Sequence, residues 1–284
     1  MASVMRMECD GPLLCFGGPY SNLQALEALL AEAERLGIPT ARMLCTGDVV
    51  AYCAEAAACV DLMMATGIPT VMGNCEESLA EGGEDCGCGF DEGTACDLLS
   101  RGWFAHASRQ VTPAQRAWMA GLPRRIDVTL GGLRLVAVHG GAEVINRFLF
   151  ASADDAVLAA EITATGVEGV LAGHCGQPFT RVVGGRLWHN AGAIGMPADD
   201  STPRTWFSLL TPMRDGLRIE RRALVYDHAA AAAAMRRAGL AEGYTDCLAT
   251  GLWPSCDVLP PTERARRGQA IEPSVHVWSR AGSA

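Results

Sequence analysis

Short apolar runs alternate with helix-period stretches at the start of this chain, and that rhythm constrains its fold more than any other feature. The run 12–16, PLLCF, reads as a strand. In SNLQALEALLAEAERLG, 21–37, the residues Leu23, Leu26, Leu29, Leu30 and Leu36 share one helical stripe. Ser21 and Gln24 have capping-box spacing there, and Gly37 is the stop signal. Two further strands are predicted over 41–48 and 68–74, with a helix over 54–67 between them. A β-α-β-α-β succession calls for a parallel sheet with helices packed on it.

The middle of the chain changes character. Residues 76–97 hold eight acidic and no basic side chains, interspersed with glycine, and predict a loop or short helices over the rim. A helix restarts over 112–122 with Thr112 as cap and Pro113 at its first position. Two strands then turn about Gly131–Gly132 within 125–141, a helix covers about 153–165, and GVEGVLAGH returns to strand. Two more hairpins turn at Gly184–Gly185 and near Asp215–Gly216. From Asp227 a helix leads into TGLWPSCDVLPP and a polar tail, an appendage on the core. Parallel units followed by hairpins suit two sheets packed face to face with helices outside. The expected division is a domain over 1–226, with an acidic, cysteine-containing insertion at about 76–101, and a helical C-terminal extension with a polar tail over 227–284.

Composition removes several function classes. A net charge of −9 argues against a general nucleic-acid or membrane-surface binder. No apolar run approaches the ~18 residues of a spanning helix, and LLCF is too short for a signal-peptide core, so a cytoplasmic protein is expected. The chain contains no lysine, which excludes a Walker phosphate loop, a Schiff-base lysine and a Ser–Lys dyad. FGGPYSN after the first strand is poor dinucleotide-loop chemistry. Twelve cysteines without a sign of export predict mostly reduced, buried thiols; the grouping Cys86, Cys88 and Cys96 stands apart, though its spacing is not CxxC.

The ends of the apolar runs carry the chemistry. In open α/β sheets functional groups gather beyond the carboxyl ends of strands. Those ends read TGD, MGN, VHGG and AGH, placing Asp48, Asn74, His139 and His174 there. A glycine precedes three of them and follows the fourth, letting the backbone turn tightly beside an ion. One such residue is ordinarily a satisfied polar group at a strand end. Four at successive tips, offering a carboxylate, an amide oxygen and two imidazoles, make a donor set for zinc, manganese or iron.

In this order, TGDVV, MGNCEES, VHGG, AGHCGQP and HNAGAIGMP resemble the motifs of the calcineurin-like metallophosphoesterases, over roughly residues 12–226. The G-N-C form is similar to the small bacterial and archaeal phosphodiesterase branch. The resemblance implies an α/β fold, a four-layer αββα sandwich of two mixed β-sheets flanked by helices. It also implies that Asp48, Asn74, His139 and His174 are the ligands of one divalent metal and carry the catalysis. The family's other metal site is degenerate here. Aligned on NLQAL, Gly18 stands where an aspartate belongs, Tyr20 where a histidine belongs, and Gly176 in GHCG replaces a second histidine.

One ion can activate water and polarise a phosphoryl oxygen, but it cannot clamp both the attacking and leaving oxygens. Arginines or backbone N–H groups must then carry the remaining charge. Arg147, Arg124 and Arg125 are candidates, although an arginine in such a place is more often a solvated or salt-bridged surface residue. Tyr20 either donates to a phosphate oxygen or fills the space of the lost imidazole. Cys75, Cys175 and Cys15 lie near the tips and are considered as thiolate ligands or substrate contacts. The expectation is a phosphoesterase acting on a small phosphodiester, nucleotide or phosphomonoester with one zinc, manganese or iron. The alternative is a non-catalytic relative that senses metal, redox state or nucleotide, drawing on the erased site, the insertion and Trp253.

Overall fold

A computed structural model describes residues 5–280. In chain order the strands are β1 (Met5–Cys9), β2 (Leu13–Phe16), β3 (Met43–Cys45), β4 (Arg125–Leu130), β5 (Leu133–Val138), β6 (Gly169–Ala172), β7 (Phe179–Val183), β8 (Arg186–Asn190), β9 (Thr205–Met213), β10 (Gly216–Leu224) and β11 (Ser274–Ser279). The helices are α1 (Leu23–Arg35), α2 (Ala56–Thr66), α3 (Asn74–Glu81), α4 (Ala95–Gln110), α5 (Pro113–Ala120), α6 (Asp155–Thr165), α7 (His228–Arg237), α8 (Glu242–Thr250) and α9 (Pro261–Arg264).

Two mixed sheets form, ordered β1-β4-β5-β6-β8-β7 and β11-β10-β9-β2-β3. Strand alternation decides how they stack. Leu13 and Cys15 of β2 pack with Leu135 and Ala137 of β5 between the sheets, while Leu14 and Phe16 turn to the layer with Leu26 and Leu29 of α1. On the other sheet, Val136 and Val138 of β5 face Leu158 and Ile162 of α6. Helix, sheet, sheet and helix are thus joined by three apolar layers, giving the αββα sandwich.

Local chemistry explains most elements and corrects several expectations. Asn22, not Ser21, caps α1, its Oδ1 accepting the Ala25 N–H at 3.1 Å. Ser21 takes a left-handed φ of +56° and accepts the Ala51 N–H instead. Residues 68–74 form no third strand. They make a single bridge, Thr70 to Cys45, because Pro69 has no N–H to continue a ladder and Asn74 already begins α3. The acidic stretch is, as expected, a short helix, α3, followed by a loop over 82–94, after which α4 runs for 16 residues from its Thr94 cap. The polar tail ends in β11, an antiparallel edge strand on β10 whose one buried residue, Trp278, closes the layer between the sheets. No helix among the described residues is long and apolar enough to cross a membrane.

Candidate metal centre

The parallel pair β2–β3 and the parallel pair β5–β6 end on the same side of the sandwich, so their tips meet across the two sheets. Thr46, just past β3, receives the His139 Nδ1–H on its carbonyl at 2.6 Å, and the Gly173 N–H donates to the His139 carbonyl at 2.7 Å. Gly47 is required here. It has φ of +97°, and a Cβ on it would stand 2.8 Å from His139 Nδ1. Asp48 and His174 adopt φ of +56° and +62° without being glycine. A left-handed L-residue costs roughly 1–2 kcal/mol, and this strain sits on the two residues that must aim at a common point.

Four donor atoms converge. His139 Nε2 lies 3.2 Å from Asp48 Oδ2, 3.0 Å from Asn74 Oδ1 and 3.2 Å from His174 Nδ1. Among the described residues, the only group of three or more His, Cys, Asp or Glu side chains whose ligand atoms cluster closely enough to hold an ion is Asp48, His139 and His174. In three of the four residues the other polar atom is tied outward. His139 Nδ1 bonds Thr46, Asn74 Nδ2 donates to the Cys86 carbonyl at 2.9 Å, and Asp48 Oδ1 accepts the Cys75 N–H at 3.2 Å. What remains facing inward is lone pairs, a poor arrangement for mutual hydrogen bonding and a good one for a divalent cation. The donor set therefore fits a metal.

The electrostatics favour a ligand role for His174 and Asp48. Burial, then the neighbouring His139, pushes His174 down to about 3, leaving its ring neutral and free to ligate. Burial works to raise the Asp48 carboxyl, but His139 and His174 outweigh it and hold the group below its ordinary value. Burial alone would lower His139; the Asp48 carboxylate reverses that and raises it.

Sequence reasoning missed Glu76. Its Oε2 accepts the backbone N–H of Asp48 at 2.8 Å and of Gly73 at 3.0 Å, and its Oε1 accepts that of Val50 at 3.1 Å. One buried carboxylate thereby locks the loop bearing Asp48 to the start of α3, which bears Asn74. The available signal was its place three residues after Gly73, where a helix-starting glutamate reaches back to the cap.

At the positions where the resemblance expects the family's other ligands, aromatic rings take up the space. A Cβ on Gly18 would stand 2.3 Å from the Tyr20 ring, so Tyr20 occupies the space an aspartate there would need. A Cβ on Gly176 would lie 3.4 Å from Trp253 Cζ2 and 3.8 Å from the Tyr20 hydroxyl. Gly18 and Gly176 thus both adjoin the third of these positions, Tyr20, and Trp253 stands beside Gly176, its indole N–H held by the Pro197 carbonyl at 2.7 Å.

The remaining candidates are placed as follows. Arg147 pairs with Glu161 of α6, Arg124 with Glu77, and Arg125 with Asp127 at 2.7 Å. None of these arginines is among the residues lining the cleft beside His174. Cys75 contributes its backbone N–H to Asp48, while burial and then Asp48 push its thiol well up. Cys15 lies between the sheets and Cys175 beside Asn190, each pushed up to about 12 by burial. Cys86 and Cys88 are joined by a disulfide, against the expectation of free thiols, while Cys96 is free and buried at the cleft. Both Cys75 and Cys88 place sulfur 3.4 Å from Asn74 Nδ2.

Comparison with known proteins bears on the same residues. The family model described as the calcineurin-like phosphoesterase superfamily domain matches residues 21–211, a span that contains Asp48, Asn74, His139 and His174 and begins just after Tyr20. No curated protein matches significantly. A metallophosphoesterase from Sphaerobacter thermophilus superposes with a TM-score of 0.65 at 23% identity, over 88% of this chain and 100% of that one. A hypothetical protein from Pyrococcus horikoshii OT3 superposes with a TM-score of 0.71 at 14% identity, over 87% and 100%. At these identities the two structures attest the fold.

Proposed function

This chain belongs to the calcineurin-like phosphoesterase superfamily, and from that premise we propose that it is a phosphoesterase that hydrolyses a small phosphorylated substrate using one divalent ion, zinc, manganese or iron. Asp48, Asn74, His139 and His174 would hold the ion. The observation that carries this reading is the convergence of their lone pairs on one point, with Thr46, Cys86 and Cys75 holding the opposite atoms of His139, Asn74 and Asp48.

When bound, a divalent ion supplies Lewis-acid polarisation of a phosphoryl oxygen and makes water a nucleophile near neutral pH. The protein's own part is positional. Glu76 fixes the two loops that carry Asp48 and Asn74, and the neutral His174 ring keeps a lone pair available at physiological pH. Tyr20, whose phenol burial and then Asp48 push well up, stays protonated and supplies a hydroxyl donor at the position where the resemblance expects a histidine ligand. In this role it steadies charge on a phosphate oxygen. Arg147, held by Glu161, would do so only after leaving that partner.

The test is metal content per chain in untagged protein prepared without chelators, followed by hydrolysis of bis(p-nitrophenyl) phosphate. About one ion per chain, with both ion and hydrolysis lost in Asp48→Ala and His174→Ala, is the expected result. Full activity in both variants would sink the assignment. A non-catalytic reading draws on one specific observation, the Tyr20 ring packed into the erased site, and metal binding without hydrolysis of any phosphoester would favour it.

A further inference from the structure

Aromatic side chains are scarce in this chain, 6% of its residues, yet they concentrate at one place. Three of its four tyrosines, Tyr20, Tyr52 and Tyr244, line the cleft beside His174, together with Phe90, Phe148 and Trp253. They come from the loops after β2, β3 and β5, from the acidic insertion, and from α8 and the segment after it. No arginine, aspartate or glutamate is among the lining residues, in a chain where 19% of residues are charged.

The rings line the cleft as two contacting groups, Tyr20 with Tyr52 and Tyr244, and Phe90 with Phe148 and His174, and Trp253 stands apart from both. Tyr20 meets Tyr52 edge-on with centroids 4.9 Å apart, and Tyr52 meets Tyr244 at 4.7 Å. Phe148 lies over the His174 ring at 4.1 Å, with Phe90 stacked beyond it at 6.2 Å. Trp253 is fixed at both ends of its residue, by its indole N–H on Pro197 and its backbone N–H on Asp199 Oδ1, each at 2.7 Å. His174 is shared: one edge faces the other metal-ligand atoms, and the residue also forms part of the cleft wall.

We infer that this cleft binds a planar aromatic group attached to the phosphate that the metal centre holds, so the preferred substrates are phosphoesters of an aromatic moiety. The inference rests on the function proposed above. A wall without arginine gives the anionic phosphate no cationic partner inside the cleft, and the one phenol placed to donate to it, that of Tyr20, lies at the metal end, which leaves that end as its place. Tyrosine, tryptophan and phenylalanine rings offer faces and edges to a planar guest, with little rotamer freedom to lose on binding. The loss of the ligands at 18, 20 and 176 is what opens this chemistry: Tyr20 and Trp253 turn part of a metal site into an aromatic surface. An aryl group directly on the phosphate and a base one sugar away present the same chemistry at different reach.

Binding of three non-hydrolysable ligands to zinc-loaded full-length protein separates the possibilities, read by calorimetry and by tryptophan fluorescence. The ligands are methylphosphonate, phenylphosphonate and the phosphonate analogue of adenosine 5′-monophosphate. At least about tenfold tighter binding of one aromatic ligand than of methylphosphonate is expected, and which one wins identifies the aryl or the base source. Trp253→Leu and Phe90→Leu, each checked for folding by its melting temperature, should both erase the preference. Equal binding of all three ligands overturns the aromatic cleft while leaving the metal-centred function standing. Failure of all three to bind the zinc-loaded protein overturns the proposed function itself, and this inference with it. A preference that survives both substitutions also overturns it.

Discussion

Glu76 accepts the backbone N–H of Asp48 at 2.8 Å while Asp48 holds a left-handed φ of +56°. The strained backbone of this candidate ligand is therefore pinned by a residue outside the converging donor set. Replacing Glu76 with Gln leaves one oxygen where three N–H groups are now served. Metal affinity should fall about tenfold or more, the usual range for losing a group that orients a ligand. Competition with a chromophoric chelator would measure it, and an unchanged affinity would show that the loops hold their geometry without the carboxylate.

The packing of Tyr20 against Gly18 predicts a coupled pair. Gly18→Asp alone should destabilise strongly, because a Cβ there meets the Tyr20 ring at 2.3 Å and the residue has φ of +40°. In a Tyr20→His background the steric part of that loss should be relieved while the backbone part remains. A double-mutant cycle from denaturant unfolding should give a coupling of about 1–3 kcal/mol. Strict additivity would mean the two positions do not share the space.

Asn74 is oriented by the disulfide loop, through the Cys86 carbonyl at 2.9 Å and the Cys88 sulfur at 3.4 Å. Replacing both Cys86 and Cys88 with serine should weaken metal binding several-fold, and a reductant should do the same to the parent protein but not to the variant. Equal affinity in all four samples would show that other contacts suffice, such as Asn146 Nδ2 on the Gly87 carbonyl at 2.9 Å.

Away from the metal centre, His189 on β8 links pH to stability. Burial, then Arg221 and His276, pushes it from 6.5 down to about 3. Between those values the unfolded chain binds a proton that the folded chain refuses, so stability present above pH 6.5 is lost as pH falls toward 3. His189→Asn retains a partner for the Thr180 hydroxyl, 2.9 Å from Nδ1 in the parent, and removes the titration. Its melting temperature should fall less steeply across that window. Parallel curves would place the acid sensitivity in other groups.

The sandwich and the four side chains that converge at the candidate centre were legible in the amino-acid order for a local reason. Short continuous apolar runs mark most of the strands, and Asp48, Asn74, His139 and His174 each stand beside a glycine past such a run. The turns at Gly131–Gly132 and Gly184–Gly185 and the Thr112 cap were legible likewise, since their chemistry lies within a few residues. β1 and β11 were not. Their exposed, mixed residues become strands because β4 and β10 offer them open edges. Only the tertiary structure decided that Glu76 serves the distant N–H groups of Asp48 and Val50, that Glu161 and Glu77 take up Arg147 and Arg124, and that the Tyr20 ring packs over Gly18. Sequence determines which atoms are available to bond or to ligate. Which of them face one another depends on where the strand tips of two sheets arrive, and no local pattern carries that distance.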